Sequence, residues 1–507
     1  MPGAASGAQQ TTMSEPKASS SDPGESLGGI PTTSQVLTGW GRTAPSGAAV
    51  ARPQKPQEVE QLLSAAASAG RSVVARGLGR SYGDAAQSAG GVVVDTCGLD
   101  SVLDSDLDAG WIRVGAGMSL EALMRSLVPR GWFVPVTPGT RHVSVGGAIA
   151  ADIHGKNHHR DGSFCSHVSS FTIATPTGVH EATPRSDSEL FWATAGGMGL
   201  TGIVLEATIK LLPIETAYML VDTERTTDLD DCLARMTARD DEYRYSVAWI
   251  DCMAKGKRLG RAVLTRAEHA KLGELSGSPA GHSSDFDPRV LLEVPMTPPG
   301  GLLNPLTVAA FNEMWYRKAP RLRARHPETI TSYFHPLDAL GSWNRLYGPR
   351  GFVQYQFVVP FDAEDALRQV LERLSNARVA SFLAVLKRFG EADPGPLSFP
   401  TSGWTLALDM PAASPSLARL LDEIDVVVAE AAGRVYLAKD SRLRPELLPT
   451  MYPRLAEWQA VRNRVDPDGV LVSDLGRRLG FVGQHASRRQ SRPSRQSRAR
   501  RVAGAQR

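Results

Sequence analysis

Two glycine-rich stretches limit what this chain can become more than any other feature. Residues 75–85 read ARGLGRSYGDA directly after the apolar run Ser72-Val73-Val74, and residues 135–159 read PVTPGTRHVSVGGAIAADIHGKNHH. Glycine lets the backbone approach a ligand closely and take positive φ, so such loops offer bare N–H groups to an anion. Two of them in one chain suggest a pyrophosphate gripped from two sides. The first loop is not the G-x-G-x-x-G dinucleotide fingerprint, and no G-x-x-x-x-G-K-[ST] phosphate loop occurs, so a nicotinamide Rossmann site fits poorly.

At 507 residues and 42% hydrophobic, the chain can bury a substantial core and divide into more than one domain. Its four cysteines, Cys97, Cys165, Cys232 and Cys252, show no C-x-x-C pairing, which predicts reduced thiols packed as small apolar residues. No apolar run approaches membrane-span length, and the first residues lack the charged and apolar regions of an export signal. Residues 1–34 are rich in Ser, Gly, Pro and Thr and read as a disordered extension. Residues 481–507 hold eight arginines and no acid; removing them from the net +3 leaves the rest at −5. This tail reads as solvated and disordered, with attraction to anionic lipid as the sharper alternative.

Between these ends the pattern begins as an α/β alternation. Pro56 opens a helix whose Val59, Leu62, Leu63 and Ala66 share a face, and Gly70 stops it. A second helix starts at Leu120, with Leu123, Met124 and Leu127 on its stripe and Gly131 at its end. Residues 201–211 alternate like a strand. From about Ala217 longer strands with wide loops take over. In 352–360 (FVQYQFVVP) alternation puts Gln354 and Gln356 on one face and Val353, Tyr355, Phe357 and Val359 on the other. Leu383, Val385 and Lys387 share a face of a second strand, and Thr405 and Ala407 share one of a third. If these strands are neighbours, Gln354, Gln356, Lys387 and Thr405 form one polar wall; a solvated sheet face is the alternative.

The paired loops resemble those of the vanillyl-alcohol oxidase and p-cresol methylhydroxylase (PCMH) class of flavoenzymes. Further segments, GWGRTAPS at 39–46, HGKNHH at 154–159, FWATAGGMGLTG at 191–202, FHPLD at 334–338 and AKDSR at 438–442, are similar to the decaprenylphosphoryl-β-D-ribose 2′-oxidase family within that class. The resemblance spans roughly residues 35–479 and implies an α+β fold: a two-subdomain PCMH-type FAD-binding domain over 35–216, an antiparallel-sheet substrate (cap) domain over 217–433, and a C-terminal return over 434–480.

It also implies FAD contacts from Ala75, Arg76, Gly77, Leu78, Gly79, Arg80, Ser81, Tyr82, Gly83, Asp84 and Ala85 in the first loop. The second loop would add Gly139, Ser144, Val145, Gly146, Gly147, His154, Gly155, Lys156 and Asn157, with Val204 and Tyr436 from later segments. Several members of the class carry, where Asp84 stands here, a histidine joined to the flavin; an aspartate cannot make that bond, so the expectation is non-covalent FAD. Lys439, Tyr82, His154 and Lys387 are the implied catalytic residues. Lys439 acts as base or as cation beside the flavin edge, and His154 is either a relay or a packed loop residue. Gln354, Gln356, Lys387, Thr405, Ala407, Trp249 and Phe334 are the implied substrate contacts.

His154, His158 and His159 lack a carboxylate or cysteine at ligand spacing, so no metal is expected. The resemblance implies a polyprenyl-phosphate sugar substrate, a separate NAD(P)H-dependent keto-reductase as partner, a place at the periplasmic side of the cell envelope and peripheral membrane contact. The missing export signal favours the cytoplasmic side of the membrane instead. No nucleic-acid partner is expected. Residues 315–327, WYRK and an Arg/Pro-rich stretch, read as an exposed loop or as a guide for a lipid phosphate. An aldonolactone or alditol oxidase and a flavin-fold protein without turnover are the competing readings. Some family members have, at the position of Ala407, a cysteine attacked by nitro-aromatic inhibitors. With alanine there, incubation with such a compound should leave the intact mass unchanged at this position, and an adduct mapped beside Ala407 would contradict this.

Overall fold

The computed structural model describes residues 25–414 and 416–482. Three sheets account for the architecture. In the first, strands Ser46–Ala51, Val92–Asp95 and Val73–Arg76 run parallel, and Ile30–Leu37 and Ser26–Leu27 extend it antiparallel. The second is antiparallel throughout, in the order Gly178–Ala182, Val168–Thr175, Ile203–Lys210, Trp111–Gly115, Val102–Asp106. The helix Pro56–Ser68 lies between them. Its Val59, Leu62, Leu63 and Ala66 pack on Val73, Val92 and Val94 of the first sheet and reach Ala174, Ile203 and Leu205 of the second. Each of these four side chains is at most 2% exposed, so burial of one apolar stripe welds the two layers.

The third sheet has eight antiparallel strands, ordered Leu322–Thr329, Tyr218–Thr226, Ala262–His269, Tyr245–Ile250, Ala384–Phe389, Gly403–Pro411, Phe352–Val359, Arg434–Val435. Helices Glu364–Asn376 and Leu417–Glu430 cover one face of its far end; there Tyr355 Oη donates to Asp425 at 2.8 Å. The opposite face looks toward the glycine loops. The chain is thus α+β, with a large antiparallel sheet in its C-terminal half.

Several expectations change. Ser26–Leu27 and Ile30–Leu37 are strands, so the N-terminal extension is ordered before residue 34. Residues 315–318 are the last turn of the helix Pro305–Lys318, and Leu322–Thr329 is an edge strand of the large sheet, not a loop. The propensity of the Arg/Pro-rich stretch is overridden because its backbone pairs with Tyr218–Thr226. Pro327 is tolerated at an edge strand. Arg434–Val435, assigned to the C-terminal return, hydrogen-bonds to Phe352–Val359 as the other edge of the substrate sheet. Residues 1–24 and 483–507, which include the Arg-rich tail, lie outside the described residues. Cys165, Cys232 and Cys252 are buried, Cys97 is half-buried, and all four are free.

The C-terminal segment is tied back by one side chain. Arg478 donates to both carboxylate oxygens of Asp84 at 2.8 and 3.0 Å and to Asp440 Oδ2 at 2.8 Å. Asp84 and Asp440 are 8% and 5% exposed, so losing the guanidinium takes the side-chain partner from buried Asp84 and leaves Asp440 only the N–H groups of Arg442 and Leu443. Arg478→Ala is expected to destabilise the fold by about 2–4 kcal/mol, read as a lower thermal unfolding midpoint; an unchanged midpoint would refute this role.

Candidate functional site

One cavity of about 790 Å³ lies between the glycine loops and the open face of the large sheet. This is within the size range of small-molecule and cofactor sites. The strand Val73–Arg76 delivers the chain to Gly77, where an added Cβ would stand 2.0 Å from Ser144 Oγ. The two loops therefore touch, and only glycine fits at the contact. Gly79 has φ +65°, open to glycine at little cost. Ser144 caps the helix Val145–Ala150 by accepting from Gly147 N at 3.3 Å, and Gly146 and Gly147 line the cavity beside it. Arg80 lies over the Trp40 ring, 3.8 Å from its centroid.

The second loop is pinned to the FHPLD segment. Arg141 N and Thr140 Oγ1 each donate to Asp338 at 2.8 Å, and Thr137 Oγ1 lies 2.9 Å from His335 Nε2. The first loop is pinned to the AKDSR segment: Tyr82 N donates to Ala438 O at 2.9 Å. Lys439 Nζ consequently sits 5.7 Å from the centroid of the Tyr82 ring. Tyr436 stacks on Phe399 and donates to Ala151 O at 2.8 Å.

Across the cavity, the register pairs Gln356 with Ala407, Ala407 with Val385, and Lys387 with Thr405. The polar wall exists and is buried, not solvated: Gln354, Gln356 and Thr405 are 6%, 1% and 0% exposed. Thr405 Oγ1 spends its proton on Phe357 O at 2.9 Å, so it can only accept from Gln356 Nε2, also at 2.9 Å. That fixes the amide orientation. The same nitrogen then donates to His154 Nε2 at 2.9 Å, and Gln356 Oε1 is left without a partner.

Three half-buried lysines line the cavity here, and the loss of solvent around their ammonium groups disfavours the charged forms. Burial holds Lys439 down to about 8, against the pull of Asp409. Lys156, whose ammonium lies 3.9 Å from the Tyr333 ring centroid and donates to Tyr333 O, is held to about 7 by burial, against Glu328. Lys387 is pushed well below its ordinary value by burial and by the charges of Lys439 and Lys156. His154 is kept neutral by burial and then by Lys387 and Lys439. Burial and the negative charge of Asp409 raise the Tyr82 phenol well above 10.

Asp409 is the group the sequence reading missed. It is 0% exposed, accepts from Gln354 Nε2, and burial raises it to about 7. Its signal was present: it is two residues beyond Ala407 on the same strand face. Tyr333, whose hydroxyl is buried without a partner, and Glu328 were likewise not anticipated.

Of the anticipated residues, Ala75, Gly77, Leu78, Gly79, Arg80, Ser81, Tyr82, Ala85, Gly139, Ser144, Gly146, Gly147, His154, Gly155, Lys156, Val204 and Tyr436 line the cavity. So do Trp249, Phe334, Gln354, Gln356, Lys387, Ala407 and Lys439. Six others support it from behind. Arg76 donates to Ala86 O and Thr38 O, Asp84 pairs with Arg478, and Val145 is turned into the core. A Cβ on Gly83 would meet Asp440 O, Asn157 donates to Pro135 O, and Thr405 holds Gln356. His158 Nδ1 accepts from Gly390 N and His159 Nε2 lies 3.0 Å from Tyr243 O, so the three histidines face different partners.

Comparison with known proteins gives this geometry a context. Residues 47–183 match the FAD binding domain family, and residues 351–479 match the D-arabinono-1,4-lactone oxidase family. The chain is 46% identical over 457 residues to decaprenylphosphoryl-beta-D-ribose oxidase of Mycolicibacterium smegmatis, covering 89% of this chain and 99% of that protein. An uncharacterised protein of Streptomyces coelicolor is 41% identical over 72% of the chain and all of its own length. L-gulono-1,4-lactone dehydrogenase of Mycobacterium tuberculosis is 22% identical over 88% of the chain and 99% of its own length. With a FAD-binding domain and this degree of identity over nearly its whole length, the chain belongs to the decaprenylphosphoryl-β-D-ribose oxidase family of FAD-dependent oxidoreductases.

Proposed function

We propose that this protein oxidises the 2′-hydroxyl of decaprenylphosphoryl-β-D-ribose to the 2′-keto sugar, using FAD held without a covalent bond. The observation that carries the reading is that Lys387 and two buried glutamines of the sheet share one cavity with Lys156 of the second glycine loop and Lys439 of the AKDSR turn. Lys387 and Lys156 suit a phosphate attached beside the sugar, whose negative charge would favour their protonated forms, and unpartnered amide oxygens suit sugar hydroxyls. The glycine loops fit the dinucleotide: bare backbone lines the cavity at Gly77, Gly79, Gly146 and Gly147, with no room for a Cβ at Gly77.

Bound FAD would supply the oxidant, taking two electrons and the hydrogen released from the carbinol carbon. The chain's own work is to take the hydroxyl proton and orient the sugar. Lys439 is the base in this scheme, because a value of about 8 lies close to a working pH. Tyr82 and Asp409 flank it, and His154, neutral and clamped by Gln356, holds the wall in register. Lys387 and Lys156 take the phosphate. The 2′-keto product would pass to a separate NAD(P)H-dependent reductase that returns hydride to the opposite face, completing epimerisation to the arabinose form for cell-wall synthesis. Contact with the lipid at the cell envelope is taken as peripheral in this reading; among the described residues no helix is long and apolar enough to cross a membrane. The match of residues 351–479 to the D-arabinono-1,4-lactone oxidase family favours, as the second reading, oxidation of a soluble aldonolactone or alditol. Bleaching of bound flavin by decaprenylphosphoryl ribose but not by free aldonolactones or alditols separates the two.

Flavin reduction should speed up as pH rises through about 8, since Lys439 must lose its proton to act as base. Lys439→Ala should abolish reduction while FAD stays bound. A rate that falls with pH instead would make Lys439 a cation beside the flavin. Acid precipitation should release all yellow colour to the supernatant; a coloured pellet would refute non-covalent binding.

A further inference from the structure

The cavity does not end at the polar wall. The same face of the large sheet continues through Trp249 and Val247, then Val263 and Thr265, to Val221 and Thr223, and all of these line the one cavity. From Phe352–Val359 to Tyr218–Thr226 this floor crosses five inter-strand steps, or roughly 24 Å at about 4.8 Å each. Its chemistry changes along the way. The Phe352–Val359 end carries glutamines and faces lysines; the middle is valine, threonine and the flank of one indole.

The far end opens between the last turn of the helix Pro305–Lys318 and the edge strand Leu322–Thr329, where Trp315, Lys318, Pro320 and Arg323 form the rim. Of the large apolar side chains exposed among the described residues, Trp315 lies on this rim, and Leu306, Met314 and Leu322 belong to the helix and strand that form it. An exposed apolar group of this kind marks an interaction surface. Its position at the mouth of a buried apolar channel identifies what it receives.

We propose that the Val221–Val263–Val247–Trp249 floor is an isoprenoid groove. It holds the first units of the substrate's polyprenyl chain and hands the remainder over the apolar rim to the lipid phase. The proposal rests on the lipid-linked substrate of the preceding reading. The phosphate of such a substrate is bonded to the carbon next to the reacting one, so it stays at the lysine end. The chain attached to it must leave the polar wall, and this floor is the apolar route on which it does so. Val221, Val247 and Val263 are 0%, 8% and 7% exposed, so a prenyl unit here meets a surface already screened from bulk water. Lys318 and Arg323 at the rim suit anionic headgroups at the point where the chain emerges.

The test compares flavin reduction by geranyl-, farnesyl- and decaprenylphosphoryl ribose in one detergent, with wild-type holoenzyme and Thr265→Trp. Thr265 is half-buried and faces the groove, so an indole there fills it away from the sugar end. Wild type should show a KM lower by about tenfold or more for the longer chains than for geranyl, as burial of additional prenyl carbons requires. Thr265→Trp should bring that ratio close to one by raising KM several-fold more for the longer chains than for geranyl. Val263→Gln, which puts an amide in the groove without adding bulk, is read by the same ratio if the tryptophan variant loses FAD. One KM for every chain length in wild type, or an equal loss for all lengths in the variants, overturns the groove and leaves the oxidase reading standing. Bleaching by none of the three substrates removes the oxidase reading and the groove with it.

Discussion

A main-chain hydrogen bond ties the first glycine loop to the turn that carries Lys439. Tyr82 N donates to Ala438 O, bringing a loop near the N-terminus against a turn more than 350 residues later. Around this bond Trp40 N donates to Ser81 O and Gly41 N to Tyr82 O, while Arg478 grips Asp84 and Asp440 on either side. The positions of Tyr82 and Lys439 relative to one another follow from main-chain geometry, not from side-chain packing alone. Backbone restraint of this kind is what a site needs when a shift of about 1 Å can cost two orders of magnitude in rate.

Burial then sets the chemistry. Lysines that would be strongly basic in water are drawn toward neutrality because the sheet, the helices beneath it and the loops above remove solvent from around them. Asp409 answers with the opposite displacement, its carboxyl raised by the same burial. The lysine and the aspartate are therefore displaced in opposite directions by one low-dielectric enclosure, while the charge of each draws the other back toward its ionised form.

How much of this was legible depended on whether a feature was local. Helix stripes such as Val59, Leu62, Leu63 and Ala66 read directly from period, and the alternation that set Gln354 and Gln356 apart from Tyr355 and Phe357 became the two faces of a real strand. The glycine loops were legible as a backbone cradle, while the flavin itself came from resemblance. What local pattern could not supply was partnership. Asp409 acquires its role only from Gln354, its partner across the sheet. Leu322–Thr329 looked like a loop because its arginines and proline disfavour strands, and only pairing with Tyr218–Thr226 makes it one. Asp84 was assigned to the cofactor because it lies in the cofactor loop, yet its side chain turns the other way, to an arginine nearly 400 residues on.

The clamp on Gln356 decides which part of a sugar it can hold. Both protons of its amide are committed, one to Thr405 and one to His154, so what it offers the cavity is a lone oxygen that can only accept. In the proposed reaction the hydroxyl that is oxidised gives its one proton to Lys439, so this oxygen suits a neighbouring hydroxyl that the reaction leaves unchanged. A sugar lacking that hydroxyl would leave a buried acceptor unmatched, and the wall thereby sorts sugars by a group that never reacts.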